Sequence, residues 1–352
     1  MHEIDFLRIE QPGEVGSKSG DAIAMHFREA ATDSERVVVI DGGYSTTGQH
    51  LADHITNYYS TSHIDLVIST HPDADHINGL VTILEQLSVG ELLLHQPRLH
   101  SANVTDFSNI EVVDELIKLA KKNGVTVTEP FTGLTRYNGQ INILGPTESY
   151  YKDMITQHLT EVKTGEAAAR MGASGMRTGY LEKAAVLLDR ALSVLPIETL
   201  GEDGDTGPRN NSSVITLLTT DDERMLFTGD AGIPALNAAW DEYEQRIGPY
   251  PDAPLNFFQA PHHGSKRNLS PSLLDRMFGH PGTQVLAPTC VISSARNDPK
   301  HPSPKVTNAV KRRKFDVYAT ESRTLCQRSN DAPVRPHYGP VTAIGPLSED
   351  DD

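Results

Sequence analysis

Residues 64–76 read Ile64-Asp65-Leu66-Val67-Ile68-Ser69-Thr70-His71-Pro72-Asp73-Ala74-Asp75-His76. The apolar run Ile64 to Ile68 predicts a strand, and His71, Asp73, Asp75 and His76 crowd four metal-ligand side chains into the loop that follows it. A strand that ends in such a loop can aim several ligands at one point, the geometry a dinuclear hydrolytic site requires. A solvated loop in which Asp73 or Asp75 caps a helix starting near Ile77 is the plainer reading. The two readings are compatible, because one carboxylate can cap while the others ligate.

Working outward, short strands are expected at Ile4 to Ile9, Ala22 to Phe27 and Val37 to Ile40, the last closed by Asp41-Gly42-Gly43. Thr46 or Thr47 could cap a helix carrying Leu51, Ile55 and Tyr58 on one face. Beyond the His/Asp loop, Leu80, Ile83, Leu84 and Leu87 mark a second helix. Glu91 to Leu94 reads as a strand, and Val112 to Lys122 as a helix stopped by Asn123-Gly124. Residues 150–200 are helix-prone, with Leu181, Val186, Leu187, Ala191, Leu192 and Val194 apolar, and a Gly- and Asp-rich loop follows to Pro208. We expect one domain over 1–352, with 150–208 as a helical insertion and loop, since about 50 residues fold alone only marginally. Sheet pattern resumes at Ser213 to Leu218, and a turn at Asp221 to Arg224 leads into Met225 to Thr228. Ser270-Pro271 and Ser303-Pro304 open two final helices, and the terminal Glu349 to Asp352 reads as a solvated tail.

Composition narrows the class. With 352 residues and 38% hydrophobic content the chain can build a sizeable core. No run approaches the roughly 18 apolar residues of a membrane span, and Met1 to Asp5 lacks the features of a signal peptide, so no membrane partner is expected and the cytoplasm is the expected location. Cys290 and Cys326 lie far apart, so any metal falls to His and carboxylate ligands. A net charge of -16 disfavours coating of nucleic acid by the whole surface, although a local basic patch could still engage phosphates.

The metal reading gains weight from recurrence downstream. Asp230 ends one expected strand, and the pair His262-His263 ends another at Leu255 to Phe258. Three separate loops thus present ligand types in order.

These residues resemble the metallo-β-lactamase fold hydrolases, and within them the branch that includes the hydrolase domain of the ComEC DNA-uptake proteins. The resemblance rests on Gly20-Asp21-Ala22-Ile23, on Val39-Ile40-Asp41-Gly42-Gly43 and on the HxDxDH loop at 71–76. Phe227-Thr228-Gly229-Asp230, Pro261-His262-His263-Gly264-Ser265 and the stretch Ser293 to Pro302 extend it. It covers nearly the whole chain outside 150–200. It implies a four-layer αβ/βα sandwich, whereas the residue pattern by itself indicates only strand-rich halves with interspersed helices.

Carried over position by position, the resemblance implies that His71 and Asp73 hold one ion, that Asp75 and His76 hold the other, and that Asp230 bridges them. One member of the His pair completes the second site: His263 is favoured as ligand and His262 as a nearby acid or phosphate contact, although an adjacent pair is not assignable from sequence. Asp41 would support the metal loop through hydrogen bonds, or simply form a turn before two glycines. His301 would lie beside the site with a phosphate or leaving-group role, while Ser265, Lys266 and Asn297 would contact substrate. The chain departs from the wider family at Asp73, where many members have His, and in lacking a further strand-end His. His95, His100 and His158 occur in the interval, but none reads as strand-terminal, and Ile143 to Pro146 occupies the position. Two divalent ions are expected, manganese or zinc with magnesium admissible, and a single-metal enzyme is the alternative. Oxygen-rich ligation favours the harder ions.

Lys266 and Arg267, with Lys300, Lys305, Lys311, Arg312, Arg313 and Lys314, form two basic clusters around the supposed site. They point to a polyanion, and the expected activity is metal-dependent phosphodiester hydrolysis of single-stranded nucleic acid through an activated water, with Asp75 among the catalytic groups. The rivals are a hydrolase of a small cyclic nucleotide, lactone or peptide, and a non-catalytic module of a defence or DNA-handling system. The 150–200 insertion could serve as a lid or bind a protein partner.

Overall fold

The computed structural model describes residues 1–9, 16, 18–101, 104, 107, 109–165, 198–284 and 286–349. Much of the expected helical insertion, including Leu181 to Val194, lies outside them.

Two sheets carry the architecture, each with seven strands among the described residues. The first contains β1 (His2–Phe6), β2 (Ala22–Arg28), β3 (Glu35–Gly42), β4 (His63–Ile68), β5 (Ser88–Leu93), β6 (Thr126–Thr128) and β14 (Leu325–Arg328), in the order β14-β1-β2-β3-β4-β5-β6. The second contains β7 (Thr135–Arg136), β8 (Ile141–Gly145), β9 (Ile215–Thr220), β10 (Glu223–Phe227), β11 (Phe257–Gln259), β12 (Thr289–Ile292) and β13 (Asp316–Ala319), in the order β13-β12-β11-β10-β9-β8-β7. Both are mixed: β3 to β6 run parallel, as do β10 to β13, and antiparallel strands complete each sheet. Ten helices are described: α1 (Ser45–Tyr58), α2 (Ala74–Ile77), α3 (Gly79–Gln86), α4 (Pro97–His100), α5 (Ile110–Asn123), α6 (Glu148–Thr164), α7 (Pro208–Asn211), α8 (Ile233–Arg246), α9 (Pro271–Phe278) and α10 (Pro304–Arg312).

Strand alternation sorts the apolar side chains into three cores. Ile23, Met25, Val38, Ile40, Leu66 and Ile68 meet Leu218, Met225, Phe227 and Phe257 of the other sheet. The intervening Ala22, Ala24, Val37, Val39, Ile64 and Val67 face outward, against α1, α3 and α5. On the far side Leu217, Leu226 and Phe258 pack against α8, α9 and α10. Helix, sheet, sheet and helix are therefore stacked in four layers, the architecture expected. Period 2 makes this unavoidable once both faces of a strand are apolar. Each fully buried Ile, Leu or Phe contributes about 1.5–3 kcal/mol, so neither sheet has a face that could stay wet.

Several local expectations need correction. The first strand ends at Phe6 rather than reaching Ile9, and α1 begins at Ser45 with Tyr44 at its N-cap, so neither Thr46 nor Thr47 caps it. Tyr58 is 40% exposed and does not join Leu51 and Ile55 in the core. Glu349 is not a solvated tail residue: its Oε1 accepts bonds from Asn308 Nδ2 and Arg312 Nη2, each at 2.8 Å. Helix α5 does stop as expected, at a left-handed Gly124 whose N–H satisfies Ala120 O. No described helix is long and apolar enough to cross a membrane.

Candidate metal centre

Parallel neighbours deliver the ligands. Asp41 lies at the end of β3, His71 just past β4, Asp230 just past β10, and His262 and His263 just past β11. The crevice beyond the carboxyl ends of parallel strands is where α/β sheets concentrate loop chemistry, and here two such crevices face one another.

Asp41 organises the metal loop. Its Oδ1 accepts from Thr70 N at 2.8 Å, and its Oδ2 accepts from Thr70 Oγ1 at 2.5 Å and from His76 Nδ1 at 2.8 Å. Because the Thr70 hydroxyl spends its proton on Asp41, the 3.0 Å contact with His71 must be donated by His71 Nδ1. Both imidazoles thereby turn Nδ1 to a protein acceptor and leave Nε2 to face the centre, the orientation of a ligating ring. Close backbone contact makes this reach feasible. A Cβ on Gly79 would collide with the Gly42 carbonyl, so α3 packs directly on the end of β3.

The free atoms converge. His76 Nε2 lies 3.3 Å from Asp230 Oδ1, His71 Nε2 lies 3.7 Å from Asp230 Oδ2, and His263 Nε2 lies 3.5 Å from Asp75 Oδ2. The Nε2 atoms of His71, His76 and His263 and Oδ1 of Asp230 are buried without a hydrogen-bond partner. Buried unpaired polar atoms cost about 1–3 kcal/mol each, and four of them on neighbouring ligand-type residues fit a bound cation. Ligand atoms of Asp75, His76 and His263 lie within 4.8 Å of one another, as do those of Asp21, His76 and Asp230. The His and carboxylate donors therefore suit a divalent ion.

Electrostatics agree with the geometry. Burial opposes charge on Asp230, but His262, His76 and His71 outweigh it and hold the carboxyl well below its usual range. Burial also opposes the charge of Asp75, which His76 and His263 override to lower its pKa. For His263, burial is overcome by the Asp75, Asp230 and Asp21 carboxylates, raising it to about 9. His71 goes the other way: burial and the neighbouring His76 push it down to about 3.

His262 and His301 form the outer wall. His262 Nε2 is 3.6 Å from Asp230 Oδ2, its Nδ1 accepts from Asn210 Nδ2 at 2.9 Å, and its ring stacks on His301 with centroids 5.6 Å apart. His301 is oriented by Asp298, whose Oδ2 lies 3.3 Å from its Nδ1. Both His262 and His263 have positive φ, which bends the turn so that one ring faces Asp230 and the other Asp75. Ser265 is buried in the same turn and accepts from Arg267 N at 3.3 Å, while Lys266 is exposed. Asn297 donates its backbone N–H to Gly16 O at 3.1 Å.

Asp73 occupies the N-cap position of α2 without capping it. Its Oδ1 instead pairs with Arg209 Nη1 at 2.5 Å, and Oδ2 is 3.9 Å from His71 Nε2. Arg209 and Asn210, both on α7, went unrecognised in the sequence because a short turn after a Gly- and Asp-rich loop has no periodicity. Asp21, in the segment Gly20-Asp21-Ala22-Ile23, is a further site residue that the sequence analysis does not assign. It is fully buried, accepts from Gln259 Nε2 at 2.9 Å, and lies 3.8 Å from His76 Nδ1. An acidic residue opening a strand beside glycine was the available signal.

Two further expectations are overturned. His95 does follow a strand, β5, but its ring stacks on Tyr151 at 4.1 Å, while His100 pairs with Glu129 and His158 sits on α6. The basic stretch 311–314 is not a free patch. Arg313 is buried and pairs with Glu198 and Asp275, Arg312 pairs with Glu349, and Lys311 and Lys314 donate to the carbonyls of Ile344 and Gln284. Of the four, Arg313 alone is fully buried and Lys314 is exposed, so it is their pairing that takes them out of a free basic surface.

No protein-family model matches the sequence, and no curated protein matches it. Among solved structures, the chain is similar to the metallo-β-lactamase fold protein YhfI from Bacillus subtilis, with 9% identity and a TM-score of 0.43 over 93% of this chain and 100% of that one. It is also similar to a diphosphatase of the PhnP family, at 10% identity and a TM-score of 0.40, covering 94% and 98% of the two chains. A metallo-β-lactamase candidate from Thermotoga maritima gives 12% identity and a TM-score of 0.34 over 65% and 79%.

Proposed function

We propose that this protein is a metal-dependent hydrolase that cleaves a phosphodiester, with single-stranded nucleic acid as substrate. One observation carries the reading: the buried, unpartnered Nε2 atoms of His71 and His76 face the Asp230 carboxylate and that of His263 faces Asp75, with His76 common to both ligand groups. The abundance of carboxylate oxygen favours manganese or magnesium over zinc.

A divalent ion held there supplies Lewis acidity, polarising a phosphoryl oxygen and easing deprotonation of water. The chain supplies the rest. Asp41 fixes the ring orientation of His76 directly and of His71 through Thr70. Asp75 and Asp230 stay ionised at neutral pH and offer the water a fixed anionic surround. His262, 28% exposed at its side chain, stands between Asp230 and solvent, where it can give a proton to the departing oxygen. His301, held by Asp298, backs that ring.

The test is cleavage of an end-labelled single-stranded oligonucleotide by manganese-loaded protein. Asp75→Ala and Asp230→Ala should lose cleavage and keep their circular dichroism. Cleavage that persists in both variants, or in chelator, rejects the proposal. A small phosphodiester such as a cyclic nucleotide is the second reading, favoured by the internal pairing of residues 311–314, which leaves less basic surface for a long polyanion. A matched panel of oligonucleotide and cyclic nucleotide separates the two.

A further inference from the structure

The Asp73–Arg209 pair is unusual for its setting. Asp73 is the residue the sequence assigns to a first ion with His71, yet it belongs to none of the described groups whose ligand atoms lie within 4.8 Å of one another. Its Oδ1 is committed to Arg209 at 2.5 Å. An arginine remains charged at any working pH and, unlike an ion, cannot be chelated away.

The segment that presents Arg209 is tightly bonded to the centre. Ser212 Oγ donates to Arg209 O at 2.6 Å, and Asn210 Nδ2 reaches His262. Asp230 N donates to Ser213 Oγ at 3.2 Å, and Val214 N donates to Thr70 O at 3.0 Å. Gly232 N donates to Asn211 Oδ1 at 3.1 Å. Residues 209–214 thus tie the metal loop, the Asp230 turn and the His262 turn together, and Arg209 is carried on that brace.

We propose that Arg209 takes the place of one of two cations, so that the centre binds a single divalent ion at the Asp75, His76 and His263 group, beside Asp230, whose Oδ1 lies 3.3 Å from His76 Nε2. The guanidinium carries five donors, only some of which Asp73 can engage, and its side chain is 29% exposed. It therefore adds a fixed cation for a non-bridging oxygen of an anionic ester, the substrate class of the site. This assignment rests on the hydrolase reading above.

The experiment is to strip the full chain of metal, titrate it calorimetrically with manganese alone, and count retained ions by elemental analysis after desalting. Wild-type protein and Arg209→Lys should bind one ion per chain, and Arg209→Ala, which frees Asp73, should bind two. Asp73→Asn should keep the single ion, with less than the roughly tenfold loss of affinity that follows even removal of a ligand's hydrogen-bond partner. Two ions in the wild type, one ion in Arg209→Ala, or a tenfold or larger loss in Asp73→Asn overturns the assignment while leaving the hydrolase reading intact. No bound ion in any form overturns the hydrolase reading itself, and this inference with it.

Discussion

Two clusters of buried charge, one at the edge of the first sheet and one between the two sheets, are finished differently. Near the β1–β14 edge, Glu3 and Asp5 are buried together, and all four of their oxygens are engaged. Arg335 donates Nε to Glu3 and Nη1 to Asp5 at 2.8 and 2.7 Å, Tyr59 donates its hydroxyl to Asp5 at 2.6 Å, and His26 approaches Glu3 at 3.4 Å. At the carboxyl ends of β3, β4, β10 and β11 the second cluster is more acidic, with Asp21, Asp41 and Asp230 buried and Asp73 and Asp75 about a quarter exposed. Its inward-facing atoms, however, have no protein partner. The first cluster brings its own cation and is architecture. The second leaves a cation-shaped deficit, which is why it reads as a site.

That contrast can be broken by experiment, and the largest effect is expected at Asp230. Asp230→Ala removes the carboxylate shared by three imidazoles and should lower hydrolysis by about three orders of magnitude, the several kcal/mol an ion contributes to the transition state. Unfolding in urea should change far less. Arg335→Leu should invert the pattern, costing about 3–5 kcal/mol of stability by stranding Glu3 and Asp5, with manganese affinity unaltered. Equal loss of ion affinity in both variants would erase the distinction. Asp41→Asn keeps the shape but weakens the acceptor for His76 Nδ1 and should reduce ion affinity by about 10- to 100-fold, read by calorimetry.

Titration sharpens the comparison. In the metal-free protein His263 is raised from 6.5 to about 9, so its contribution to stability is complete below pH 6.5 and disappears as pH rises through 9. Asp75 and Asp230 are lowered, so their contribution is present above pH 3.8 and is lost as pH falls further. These three groups therefore favour the metal-free fold between those limits, while His71, held neutral by burial, opposes it as pH falls below 6.5, and manganese should release a proton on binding near pH 7. Thermal melts across pH and calorimetry in buffers of different ionisation enthalpy test both statements. The smallest effect belongs to Arg312→Gln: its partner is Glu349 at a partly exposed pair, so oligonucleotide cleavage should change by about twofold or less.

Much of this was legible from residue order because the signals are local. The near-continuous apolar runs Val37 to Ile40 and Ile64 to Ile68 report strands covered on both faces, and four ligand types after the second strand report a loop with a task. What escaped depended on contacts distant in sequence. Asp21 meets Gln259 across 238 residues, and Arg209 meets Asp73 across 136, separations that no spacing rule spans. The basic run 311–314 misled for the same reason, since Glu198, Asp275 and Glu349 become its partners only once the chain is folded.

The division of ligands between the sheets has a mechanical consequence. His71, Asp75 and His76 follow β4, whereas Asp230 and His263 follow β10 and β11, so no single layer owns the centre. A coordinated ion would act as a rivet through the mouth of the sandwich, fastening one half to the other. The melting temperature should then climb with free manganese, and starving the protein of metal would loosen that rim as it silenced the chemistry.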